Sequence, residues 1–268
     1  MLFRSALLLA LLCPLALSPP VHAQGQALQF DGVDDLAFVL DSSDDFDFGS
    51  ALSLEAWIRV DTPQPNAGLI GTNADCGLVA TMSSPGAATV ITPIGAGSFS
   101  SAGSANSLPT GTWTHVCGTY DGSTIRTYVN GELRAIRLLT GSTPNTAALL
   151  IGVRNQTNYF AGVLDEVRFW NLVRTPLEIR QTWDRELAGN EAGLVGYYKF
   201  DAAGQDVIDS SPFGNDGLLG LTNQVEPEDP QRIASGISFR VDSVEEALLF
   251  DGVDDICTFL NAQGAFDL

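Results

Sequence analysis

Lysine is all but absent from this chain: Lys199 is the only one, and 13 Lys and Arg stand against 32 Asp and Glu, for a formal charge of −19. A surface so poor in cations repels phosphate backbones and anionic headgroups, which excludes nucleic-acid binding and electrostatic docking to membranes. It suits divalent cations, neutral glycans or plain solvation. Histidine is nearly as scarce. Of the two, His22 falls in an N-terminal targeting segment, which leaves His115. One imidazole cannot build a two-histidine zinc site, and no nucleophile-elbow sequence accompanies it to complete a Ser-His-Asp triad.

Long apolar runs are also missing. Leu7 to Leu17 is too short to span a bilayer. Arg4 precedes it and Val21-His22-Ala23 follows, so residues 1–23 read as a secretory signal and the mature chain starts near Gln24. The expected compartment is the extracellular space, the cell surface or a periplasm, with no membrane insertion. Cysteine is sparse: Cys76, Cys117 and Cys257 remain after the signal. Outside the cytosol a pair is readily oxidised. Cys76 and Cys117 share a domain and are expected to pair; the alternative is two buried free thiols. Any partner of Cys257 is open.

What the chain does have is a repeat. Residues 27–41 read ALQFDGVDDLAFVLD and residues 247–261 read ALLFDGVDDICTFLN, an offset of 220. A period of that length belongs to tandem whole domains rather than to a solenoid. The expectation is a domain over 24–189, followed over 190–268 by the lead-in and first strands of a second copy, with a boundary at Gly189-Asn190-Glu191.

The pattern between the copies is almost wholly β. Leu52, Leu54, Ala56, Ile58 and Val60 alternate with Ser53, Glu55, Trp57 and Arg59, the period of a strand with two different faces. Residues 112–120, 124–129, 132–139, 147–152 and 160–170 read as further strands, and Asn130-Gly131 as a hairpin turn. The small-residue stretch 83–107 reads as a long surface loop with a weak strand or two. One helix is expected near 175–187: Thr175-Pro176-Leu177-Glu178 carries a capping threonine, a proline at the first helical position and a glutamate three residues after the cap. Ile179, Trp183 and Leu187 form its apolar face. Many short strands with turn-rich links predict an antiparallel two-sheet jellyroll sandwich.

These segments resemble the laminin-G-like jellyroll family of the concanavalin A-like lectin/glucanase superfamily. The matching pieces are LQFDGVDD at 28–35, LSLEAWIRV at 52–60, GTWTHVCGTYDG at 111–122, TYVNGEL at 127–133, LLIG at 149–152, FAGVLDEVRFWN at 160–171 and RTPLEI at 174–179. Each alone is weak; seven in the family's order are specific for the fold. The stretch GLVGYYKFD at 193–201, with SPFGNDG at 211–217, looks like the lead-in such domains carry before their FDG strand. The family is similar to pentraxins, where a disulfide joins two strands, and that resemblance also favours Cys76–Cys117. His115 alternates with Trp113 and Cys117, so it is expected to face the inter-sheet core or its rim in a structural role. Trp57 and Trp170 fall where the family's strands place packing aromatics.

The resemblance includes members with a calcium ion on their loops. Here Asp31, Asp34 and Asp35 share a glycine-containing turn, and Asp165 and Glu166 sit in a late strand that a jellyroll can bring beside the first. Calcium takes six to eight oxygens, and Asp31, Asp34 and Asp165 are the expected ligands of a structural ion. The plainer account is solvated acids bonding their own turn. For function, the expectation is a non-catalytic recognition module binding an extracellular glycan or protein in adhesion, where repeats in series gain avidity. A ligand-free spacer is the alternative, as is an accessory domain of a carbohydrate-active enzyme. Hydrolysis by this chain is disfavoured: the glucanase E-x-D-x-x-E strand is missing, and adjacent Asp165 and Glu166 would point to opposite faces of a regular strand.

Overall fold

The structure, a computed structural model, describes residues 25–62, 67–72, 77–80, 89–91, 101–103, 108–141, 143, 148–154, 156–227 and 229–240. The signal segment, Cys76, Cys257 and the repeated stretch 247–261 lie outside the described residues. The strands are β1 (Gln26–Asp31), β2 (Ala37–Leu40), β3 (Leu52–Val60), β4 (Ala67–Thr72), β5 (Gly77–Ala80), β6 (Thr89–Ile91), β7 (Ser101–Gly103), β8 (Trp113–Tyr120) and β9 (Thr124–Val129). They continue with β10 (Glu132–Leu138), β11 (Ala148–Ile151), β12 (Val153–Arg154), β13 (Asn158–Tyr159), β14 (Ala161–Trp170), β15 (Leu194–Tyr198), β16 (Asp206–Val207), β17 (Gly217–Leu219) and β18 (Gln231–Ala234). One helix, α1 (Pro176–Thr182), lies between β14 and β15. No helix among the described residues is long and apolar enough to cross a membrane.

Two antiparallel sheets stack face to face. One runs β10-β9-β8-β3-β14-β1-β18, with β15 also on β14; the other runs β16-β17-β2-β11-β4-β5-β6-β7. Alternation along each strand sends one set of side chains between the sheets. Phe30, Phe46, Leu54, Ile58, Leu149, Leu164 and Phe169 meet there, each at most 2 % exposed. The other face of β3 is sealed as well: Ser53 and Glu55 are fully buried, because chain after β14 folds back over the first sheet. Ser53 Oγ donates to the Leu172 carbonyl at 2.9 Å, and Trp57 Nε1 to the Trp183 carbonyl at 3.0 Å.

The boundary expected at 189/190 falls inside this unit, whose described residues run from Gly25 to Arg240. β14 is ten residues long, and one of its edges is shared: β1 takes Ala161 to Leu164 and β15 takes Val167 to Trp170. β18 closes the free edge of β1, and β17 closes that of β2. Leu194, Val195, Tyr197, Tyr198, Phe200, Val207 and Leu219 are buried in the same molecule. Without this segment two strands would present bare edges.

The helix begins as expected. Thr175 Oγ1 accepts from Glu178 N at 3.2 Å, and Glu178 Oε2 accepts from Thr175 N at 2.7 Å. It ends at Thr182, short of the expected 187. Trp183 and Leu187 are drawn to different neighbours: Trp183 stacks on Trp57 at 5.6 Å, and Leu187 joins Trp170, Leu194 and Tyr197. The expected Cys76–Cys117 cross-link involves Cys76, which lies outside the described residues. Cys117 is a free, fully buried thiol, packed with Tyr128 and Ile179 beneath α1. It therefore faces away from the second sheet, and burial pushes its pKa well up, which disfavours the reactive thiolate.

Candidate functional site

β1 ends at Asp31, and the turn to β2 folds its acids together. Gly32 takes φ +85°, a conformation that suits glycine. Asp31 Oδ1 accepts from Val33 N at 2.7 Å, and Asp35 Oδ2 accepts from Asp31 N at 2.5 Å. One carboxylate oxygen each from Asp31, Asp34 and Asp35 lies within 4.8 Å of the others. Asp229 approaches from the segment before β18, held by Glu226 N at 2.7 Å and by Gln205 Nε2. Gly220 makes room: a Cβ there would stand 2.0 Å from Asp229 Oδ1. Gln29, Asp31, Asp35, Pro227, Asp229 and Gln231 line a cavity of about 150 Å³. Asp35 is 5 % exposed, and its pKa is pushed up to about 6, first by burial and then by the charges of Asp31, Asp34 and Asp229, against the Asp31 N–H. Asp31, Asp34 and Asp35 form a donor set of hard oxygens, which fits calcium.

Asp165 is not in this group. β1 and β14 are neighbours, as expected, but Leu28 lies opposite Leu164 and Asp31 opposite Ala161. That register puts Asp165 four residues along the strand from Asp31. There it is buried, receives Ser235 Oγ at 2.6 Å, and has its pKa raised well up by burial and by Glu166. Asp35 takes its place in the cradle.

A second polar cluster lies between the first sheet and the chain that covers it. Glu55 Oε1 accepts from Arg174 Nη1 at 2.7 Å, while its Oε2 lies 3.3 Å from His115 Nε2 and 3.5 Å from Arg168 Nη1. Arg168 Nη2 also donates to Glu166 Oε2 at 2.8 Å and to the Arg185 carbonyl at 2.7 Å, and the Tyr197 hydroxyl donates to Glu166. Burial by itself would raise the Glu55 pKa; Arg174, His115 and Arg168 outweigh it and hold the carboxyl well below the usual range. Burial lowers that of His115, against the pull of Glu55. His115 thus faces the covering chain, between Trp57 and Trp183, rather than the inter-sheet core. Asp165 and Glu166 share this face because a bulge inserts one residue between Asp165 and Arg168, with Glu166 at φ +52°. The expectation of opposite faces held only for a regular strand. Trp57 and Trp170, 7 % and 2 % exposed, are packing residues; Arg174 lies 4.2 Å over the Trp170 ring.

A family model of the concanavalin A-like lectin/glucanases superfamily, Laminin_G_3, matches residues 31–180, more than half of the chain. The chain belongs to that superfamily. This laminin-G-like domain is similar to a provisionally assigned carbohydrate binding protein from Bacteroides ovatus, with 25% identity over 73% of this chain and 58% of that one, at a TM-score of 0.59. The chain thus spans less than two thirds of that protein. It is also similar to a heptameric SAP-like pentraxin from Limulus polyphemus, with 14% identity over 60% of this chain and 82% of that one, at 0.47. A third likeness is to domains LG4-5 of the mouse laminin α1 chain, with 18% identity over 55% and 41%, at 0.43. No curated protein matches.

In the laminin-G-like domain, sequence reasoning found Asp31 and Asp34 but missed Asp229, about 200 residues away in the chain. No local pattern marks Asp229; only the pairing of β18 with β1 brings it near. Arg174 lies in the quoted RTPLEI piece, yet its pairing with Glu55 in LSLEAWIRV shows only when α1 docks.

Proposed function

We propose that this domain is a non-catalytic, exported recognition module that binds a glycan in adhesion, as one unit of a tandem array, with a calcium ion held by Asp31, Asp34 and Asp35. The observation that carries the calcium assignment is the acid cradle, where one carboxylate oxygen each of Asp31, Asp34 and Asp35 lies within 4.8 Å of the others and Asp35 is buried. A divalent ion would add positive charge there and pin the β1–β2 turn. The likeness to the Bacteroides ovatus protein supports a carbohydrate as ligand. Glu55, Asp165 and Glu166 are 0, 3 and 4 % exposed beneath the covering chain, so none of them reaches a glycosidic oxygen. That favours binding over hydrolysis.

The test is a glycan array probed with the mature chain, in calcium and again in chelator. Binding lost in chelator supports the whole reading; binding that survives removes calcium from the ligand site. Silence in both conditions favours a spacer. Independently, calcium should raise the melting temperature of the parent, since an ion at a hundred times its Kd stabilises by about 2.7 kcal/mol. The D31N/D34N variant should lose that rise.

A further inference from the structure

His115 is fully buried on the outer face of the first sheet. Trp57 of β3 stands edge-on to its ring at 5.9 Å, and Trp183, just past α1, closes over it at 6.2 Å. Nε2 lies 3.3 Å from Glu55 Oε2 without the alignment of a hydrogen bond, and Nδ1 meets no partner among the described residues. Three charged groups act on the ring: Glu55 of β3, Arg168 of β14 and Arg174 in the link to α1. Their charges are already matched. Arg174 Nη1 holds Glu55 Oε1 at 2.7 Å, and Arg168 Nη2 holds Glu166 Oε2 at 2.8 Å. Cys117, two residues along the same face of β8, is a thiol whose pKa burial raises. From above, α1 contributes Ile179, packed with Cys117 and with Tyr128 of β9, and the last described segment sets Phe239 against Trp57 at 6.2 Å. Arg240 in that segment pairs with Asp184 at 3.3 Å. A proton on His115 would therefore add a positive charge with no carboxylate of its own, in a fully buried place.

The cover is the weak side of this arrangement. α1 buries one residue, Ile179, in a small cluster separate from the core between the sheets. Arg174 belongs to the cover as well, since Nη2 donates to the Glu178 carbonyl at 3.2 Å and to Thr182 Oγ1 at 2.9 Å. It is the latch that ties α1 to Glu55. We propose that α1 with Trp183 is an acid-opened cover: proton uptake at His115 releases it from the first sheet while the sandwich stays folded. Opening wets the imidazole and withdraws Arg174, so the imidazolium takes over Glu55 from the guanidinium. Leu54, Ala56 and Ile58, in the core on the other face of β3, are not disturbed. Segments with few buried contacts open in this way below the free energy of global unfolding. The ring is held neutral when covered, and its ordinary pKa of about 6.5 returns when it is wet, so the opening constant rises about 25-fold from pH 7 to pH 5.

The experiment is amide hydrogen exchange of the mature chain at pH 7 and pH 5, expressed as protection relative to an unstructured peptide at the same pH. Ile179 N and Trp183 N, bonded to the Thr175 and Ile179 carbonyls at 3.1 and 2.9 Å, report on the cover. Their protection should fall about 25-fold at pH 5. In urea below the unfolding midpoint their exchange should not depend on urea, whereas that of β3 and β14 should follow it. H115Q should keep at pH 5 the protection it has at pH 7. Should that variant not fold, the parent decides alone. Protection at Ile179 and Trp183 that is equal at the two pH values overturns the proposal. So does exchange there that rises with urea in step with β3, or the same fall in H115Q.

Discussion

Glu55 is fully buried, and its charge is held by Arg174, Arg168 and His115. Removing it takes the carboxylate from buried Arg174 and leaves Arg168 with Glu166 alone. Glu55→Gln should therefore cost about 3–5 kcal/mol, the usual penalty for breaking a buried pair, read as a lower urea midpoint. His115 gives the acid response a sign. Its folded pKa lies below the ordinary 6.5, so the unfolded chain takes up a proton that the fold refuses. Stability is present above that value and falls as the pH drops through it. Glu55 acts in the same direction below 4.5. Asp35 opposes both between 3.8 and about 6, where the fold keeps a proton the unfolded chain gives up. Glu55, Arg168 and Arg174 are the charged groups that act on the imidazole. His115→Gln should therefore lose up to about 2 kcal/mol less than the parent over that interval. Denaturant titrations at the two pH values measure this; equal losses would mean that the ring is charged in the fold.

Among the elements, α1 is too short to be stable alone. Its place depends on the capping box at Thr175 and on Arg174, which reaches Glu55, the Glu178 carbonyl and Thr182 Oγ1. Thr175→Ala should cost about 1 kcal/mol, with added amide exchange confined to the covering chain. The β9–β10 hairpin is constrained differently. Asn130 and Gly131 both take positive φ, and a Cβ on Gly131 would lie 2.4 Å from Trp183 Cδ1. Gly131→Ala would strain the turn and lift Trp183 off Trp57 together. A loss of more than about 1–2 kcal/mol, the strain by itself, with a change in tryptophan fluorescence, is the expected result.

At the level of the molecule, the sandwich is completed by strands that the sequence pattern assigns to a following copy. A chain ending at residue 189 would lose β15 to β18, with Tyr197, Tyr198 and Phe200 from its interior. It should give no cooperative unfolding transition. A chain ending at residue 240 should unfold cooperatively, and limited proteolysis should leave it intact. A stable 24–189 fragment would put the boundary back at 189.

Alternation of apolar residues placed β3, β8, β9 and β14 to within a residue or two, and the capping residues located the start of α1, because both signals are local. They also put Asp31, Asp34 and Asp35 in one turn. What lay beyond the sequence was non-local. Neither the burial of Glu55, Trp57 and His115 nor the end of α1 at Thr182 shows in any window, because later chain supplies the cover and the competing contacts. The side of the sheet on which Glu166 stands depends on a bulge that adjacency alone cannot reveal. Cysteine counting paired Cys117 with Cys76; the direction of the Cys117 side chain, set by strand alternation and the docking of α1, is not visible to a count. Register decides the rest: sliding β1 against β14 by four residues would have brought Asp165 to the cradle, and the hydrogen-bond ladder places it elsewhere. Composition and periodicity thus determined the class of fold, while pairing and docking decided which charges meet.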